Sequence, residues 1–166
     1  MLKEFLQQNR DNILHNWLEQ TINTYQPEMI RFLKKEKNQF SNPVRNTIIT
    51  SLEKMFDGII SDNGVDDFSG LEELIKVRAV QDFSPSEALS FIFGLKKIIR
   101  TEILKSGEKT GSFSELHILD QKFDTLLRRA FDYYNDCRMK INDIKISEIK
   151  ARSERAFDII QKKTNA

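Results

Sequence analysis

The stretch Arg78-Ala79-Val80-Gln81-Asp82-Phe83-Ser84-Pro85-Ser86-Glu87-Ala88-Leu89-Ser90-Phe91-Ile92-Phe93-Gly94-Leu95-Lys96-Lys97-Ile98-Ile99-Arg100 closes one helix, turns, and opens another. Ser84 can cap, Pro85 takes the first helical position, and Glu87 three residues after the cap completes a capping box. The new helix is expected to run to about Lys105. Gly94 lies inside it, between Phe91 and Leu95 on adjoining faces, with Phe93 beside it. A helix-interior Gly costs about 1 kcal/mol relative to Ala, so it usually permits the close approach of another helix or a ligand. The candidate ligand cavity is the space between Phe91 and Gly94 on this helix and Phe123, Leu127 and Phe131 further on.

Working back towards the start, Leu2, Phe5, Leu6, Ile13, Leu14, Trp17, Leu18 and Ile22 recur at steps of three and four, an amphipathic helix reaching to about Tyr25. Pro27 ends or restarts it, giving a short polar helix from Glu28 to Lys37. Asn42 and Pro43 form the next start signal, for a helix burying Val44, Ile48, Leu52, Met55, Phe56 and Ile59. Asp62-Asn63-Gly64 breaks the chain, and Ser69 with Glu72 opens a helix that continues to about Asp82.

Beyond the quoted stretch, Ser106 to Gly111 is a polar loop and Ser112 with Glu115 caps the last segment. No Gly or Pro follows as far as Ala166. A helix that long would span about 80 Å, so it is expected to project from the body or to break near Asn142-Asp143. Phe123, Leu126, Ala130, Tyr133, Tyr134, Cys137, Ile141 and Ile144 supply a heptad-like seam, the candidate dimer interface. A second stripe takes over at Ile149, Ala156, Ile159 and Ile160. The pattern predicts an all-α fold of about six or seven helices, with residues 1–143 as the domain and 144–166 as a projecting helix or linker.

Composition agrees. Of 166 residues, 39% are hydrophobic and twelve are Phe, and low Gly (6) and Pro (3) favour helices over a turn-rich β fold. A chain of this length buries about 70% of its unfolded surface without disulfides or structural metal. The net charge of +1 gives no overall electrostatic case for nucleic acid. The last thirty residues carry eight Lys and Arg against four acids, interspersed as on a solvated or coiled-coil helix. One cysteine excludes an internal disulfide, and no segment reads as a signal peptide or a membrane span. The expected location is cytoplasmic.

Chemistry-bearing patterns are scarce. The two histidines, His15 and His117, lie outside the helices where a haem ligand would be needed. Asp62 to Glu73 has the length of a calcium loop but fails at Gly64 and Asp67. No zinc ligand spacing is present, and Gly107 to Gly111 lacks the spacing of a phosphate loop. Cys137 lies on the seam, where a structural thiol is the ordinary role. The expectation is no enzyme, no metal and no cofactor. Arg78 and Gln81, with Asp132, Asp136 and Arg138 on the last helix, read as an ion-paired lock between helices in preference to the alternative, a partner-binding surface.

Arg78 to Arg100, together with Asn42-Pro43-Val44 and Ala130-Phe131-Asp132-Tyr133-Tyr134-Asn135-Asp136-Cys137-Arg138, resembles the RsbR-type N-terminal domain. That domain stands at the front of bacterial stressosome co-antagonists, and the likeness is to the RsbRD branch. The resemblance runs over roughly the whole chain. It implies a globin-related bundle without haem, a sensory module that forms homodimers, works through a regulatory protein partner and performs no chemistry. In that family a STAS domain follows, and the tail beyond Asp143 corresponds to the linker. The 166 residues hold no STAS domain, which fits either a stand-alone relative or a part of a longer chain. The alternative function is a carrier or sensor for a small apolar molecule or tetrapyrrole.

Overall fold

The computed structural model describes residues 1–35, 38, 40–61, 69–107 and 111–164. Among them are eight helices and no strands: α1 (Leu2–Gln8), α2 (Arg10–Ile22), α3 (Pro27–Lys35), α4 (Pro43–Ile60), α5 (Ser69–Val80), α6 (Pro85–Ala88), α7 (Ser90–Lys105) and α8 (Phe113–Thr164). The start signals act as the sequence indicates. Asn42 Oδ1 accepts from the Arg45 amide at 3.0 Å. Ser84 and Glu87 close a complete capping box, and Ser112 and Glu115 exchange bonds in the same manner. The break at Asp62-Asn63-Gly64, the calcium-like spacing after it, and Glu108 to Thr110 of the polar loop lie outside the described residues.

The fold is the expected all-α bundle with a long last helix, but two expected helices are each divided. The first breaks at Asn9 (φ −98°, ψ 9°), whose side-chain amide and backbone amide both donate to the Phe5 carbonyl, at 2.9 and 3.1 Å. The Pro85 helix breaks at Leu89 (φ −93°, ψ −4°). The last helix, for which projection and breakage were both open, runs unbroken from Phe113 to Thr164.

One core joins these elements. α4 packs on α5, α5 on α8, and α2 on α7. Trp17 of α2 is fully buried and donates from Nε1 to the Phe91 carbonyl at 2.7 Å. Leu119, Phe123, Leu126, Ala130 and Tyr134 bring the first half of α8 into the same core. Burying a side chain such as Phe123 stabilises the fold by roughly 1.5–3 kcal/mol. α5 approaches α4 so closely at Gly70 that a Cβ there would lie 2.6 Å from the Ser51 carbonyl oxygen. Lys122 of α8 donates from Nζ to the Ile59 and Ser61 carbonyls at 2.7 and 2.6 Å, covering the negative end of α4. From Asn142 onward every described residue except Ala151 is exposed.

Candidate functional site

The centre of the molecule holds a charge. Arg78 on α5 is fully buried. Its Nε donates to the Ala88 carbonyl at 2.8 Å, one NH2 to the Glu87 carbonyl at 2.7 Å and to Ser90 Oγ at 3.3 Å, and NH1 to Thr24 Oγ1 at 3.0 Å. The guanidinium lies 4.2 Å from the Phe83 ring centroid, with Tyr25 at 5.2 Å and Phe91 at 5.6 Å. Burial holds the guanidinium below its ordinary value and pushes the neighbouring Tyr25 phenol up. The expected ion-paired lock is corrected in its chemistry at this residue: among the described residues no carboxylate pairs with Arg78. Its partners are carbonyls, hydroxyls and rings, which a helical projection does not bring together. The lock to the last helix comes from Arg138 instead, which donates from NH1 to the Ala79 carbonyl at 3.0 Å and to Asp82 at 2.9 Å. Asp132 and Asp136 are exposed.

The five residues of the candidate cavity occupy three places. Phe91 and Gly94 face α2, where a Cβ on Gly94 would meet Gln20 Oε1 at 2.5 Å, so this Gly serves close helix packing. Phe123 is buried on the other side of α7 and lines a crevice between α7 and α8. Leu127 and Phe131 line a shallow groove of about 640 Å³ with Leu89 and Phe93, and both phenylalanines are more than half exposed there.

The eight seam residues divide in the same way. Phe123, Leu126, Ala130 and Tyr134 are buried in the protomer's own core, and the Tyr134 hydroxyl donates to the Phe83 carbonyl. Tyr133, Cys137 and Ile141 are partly buried against that core, and Ile144 is exposed. The stretch of seam that the core consumes lies opposite α5 and α7, because the periodicity that fits a partner helix also fits the body of the domain.

Titratable groups give little reactive chemistry. Burial pushes the Cys137 thiol up, away from the thiolate that a nucleophile needs. His15 and His117 are exposed. Among the described residues no group of three or more His, Cys, Asp or Glu could hold a metal ion, and no helix is long and apolar enough to cross a membrane.

The crevice between α7 and α8, about 390 Å³, was not anticipated in the sequence. Lys96 and Arg100, one helical turn apart on α7, both reach Asp120 on α8, at 2.8 and 3.0 Å. These contacts hold the Asp120 carboxyl below the usual carboxylate range, Lys96 acting most strongly. The i, i+4 spacing of the two cations was the available signal, and only the packing of α8 supplies their shared acid.

Architecture and site together define an all-helical domain whose last helix leaves the core, with a caged cation inside. The chain belongs to the family described as the RsbT co-antagonist protein rsbRD N-terminal domain, whose pattern matches residues 11–144. No curated protein and no solved structure matches it.

Proposed function

We propose that this chain is a non-catalytic regulatory input domain that works without haem, by dimerising and by contact with a protein partner in a stressosome-type assembly. Residues 1–143 would form the domain and 144–166 the output helix. The observation that carries this reading is α8: one unbroken helix of 52 residues contributes its first half to the core and leaves its second half in solvent. A shift of packing in the domain therefore moves a rigid rod that begins inside it. Family membership supports the regulatory role, and the absence of histidine from α5, α6 and α7 supports a haem-free bundle.

The dimer surface that fits best is the face of α8 carrying Leu127 and Phe131. Eighteen residues make five full helical turns, so Ile149 lies in line with Phe131, and Ala156 and Ile160 lie close to the same line. Phe131, Ile149 and Ile160 are all more than half exposed. Native mass spectrometry of the whole chain tests the reading. A dimer with no bound mass is expected, whereas a monomer at every concentration would overturn dimerisation as the mode of action.

The α7–α8 crevice favours a second reading, a small-molecule sensor.

A further inference from the structure

We propose that the crevice between α7 and α8 is a binding site for a small amphipathic carboxylate, an apolar chain or ring ending in one negative charge. This names a ligand class for the input domain and rests on that reading only for its regulatory meaning. Three features converge there. The floor is apolar, formed by Ile99, Leu119 and Phe123, each at most 9% exposed, with Ile103 and Leu116 partly buried beside them. At the mouth Leu104 and Phe113 are 81% and 88% exposed, large apolar side chains left in water at the edge of an apolar hollow. A hydrocarbon tail laid in the crevice would cover both.

The third feature is charge. Lys96 and Arg100 share one acid, Asp120, so the three together leave one positive charge unbalanced at the side of the crevice. Arg100 uses only NH2 on Asp120, with Nε and NH1 left to donate, and its side chain is 59% exposed. Lys96 lies 5.8 Å from the centroid of the Phe123 ring, so its ammonium sits at the junction of the apolar floor and the charged wall. The volume, about 390 Å³, falls within the range of small-molecule pockets. An uncharged hydrocarbon would leave the spare cation unanswered, and a small inorganic anion would leave the apolar hollow empty. An amphipathic carboxylate satisfies both.

Titration calorimetry of the whole chain with decanoate and with decanol, both below their aggregation limits, tests the proposal. Decanoate is expected to bind saturably and about tenfold or more tightly than decanol, since a charge-assisted contact is at stake. Ile103→Trp, which fills the crevice, should weaken both ligands about tenfold or more. Leu104→Gln, on an exposed side chain that cannot endanger folding, should weaken both in the same sense. Replacing Lys96 and Arg100 together with Met should bring the two affinities together, a change that a merely structural role for those residues would not produce. No saturable binding of decanoate, an unchanged preference in the double Met variant, or full affinity in Leu104→Gln would each overturn the assignment. The oligomeric state is read on the same samples. A dimer that ignores decanoate defeats this inference alone, and a monomer that binds it defeats only the dimer.

Discussion

Arg78 Nε donates to the Ala88 carbonyl at 2.8 Å and so takes from the helix the acceptor that would have continued it. In an unbroken helix that carbonyl would receive the Ile92 amide; here the Ile92 amide bonds one residue later, to the Leu89 carbonyl at 3.1 Å. The Glu87 carbonyl is taken likewise, by Arg78 NH2 and by Ser90 Oγ. The division between α6 and α7 is therefore made by a side chain on α5. It turns Leu89 and Phe93 towards the groove beside α8.

Arg78→Lys and Arg78→Met should each destabilise the domain by about 2–3 kcal/mol, because buried acceptors lose their donor. Lys should be at least as harmful as Met, since it keeps a buried charge that cannot reach the same partners. Urea denaturation measures this. An Arg78→Lys protein within about 0.5 kcal/mol of the parent would remove the cage as a determinant of the fold.

Two of the helix glycines, Gly70 and Gly94, should respond oppositely to Ala. At Gly70 the added Cβ meets backbone, the Ser51 carbonyl oxygen at 2.6 Å, so the helices must separate, at a cost of about 1–3 kcal/mol. At Gly94 it meets the end of the Gln20 side chain, which is exposed and can swing away. The gain in helix propensity, about 1 kcal/mol, should then leave Gly94→Ala neutral or stabilising. Equal melting shifts for the two variants would contradict this reading of the α4–α5 contact.

Glu115 ties the start of α8 to α1. It accepts from the Ser112 amide at 2.7 Å and the Leu2 amide at 3.1 Å, and these bonds hold its carboxyl down to about 2 from an ordinary 4.5. A folded-state value below the unfolded one means stability that is present above pH 4.5 and lost as pH falls towards 2. Asp82, Glu87 and Asp120 are also held low and contribute in the acid range. The specific expectation is a difference: Glu115→Gln should lower the melting temperature at pH 7 and narrow the gap to the parent on acidification. Parallel acid limbs would show that the carboxylate is not what joins the two helices.

Phe131→Glu and Ile149→Glu should each shift the chain from dimer to monomer by about tenfold or more in dissociation constant, with helicity unchanged, because both side chains are exposed in the protomer. Light scattering across a dilution series reads this. A dimer untouched by both would move the interface to another face, Ile144 being the exposed member of the alternative seam.

Much of this was legible locally. Asn42-Pro43, Ser84-Pro85 with Glu87, and Ser112 with Glu115 announce helix starts through bonds made within three residues, so tertiary context was not needed to find them. The seam on α8 was legible as periodicity but ambiguous in meaning. Leu126 and Ala130 would look the same facing a partner or facing α5 and α7. Phe91, Phe123 and Phe131 do not share one cavity, because the rotation of α7 and α8 sends them to three different faces, which no spacing along the chain encodes.

By itself the sequence determined an all-helical domain with a long final helix and the family to which it belongs, because caps, breakers and apolar spacing act over a few residues and need no partner. The tertiary structure alone decided that Arg78 is caged by carbonyls, hydroxyls and rings, that the Pro85 helix divides at Leu89, and that Lys96, Arg100 and Asp120 meet beside an apolar crevice. Each joins residues at least nine apart in the chain, or ones on different helices. Such meetings depend on how whole helices are rotated and spaced, which the packing of the core fixes and no local spacing encodes.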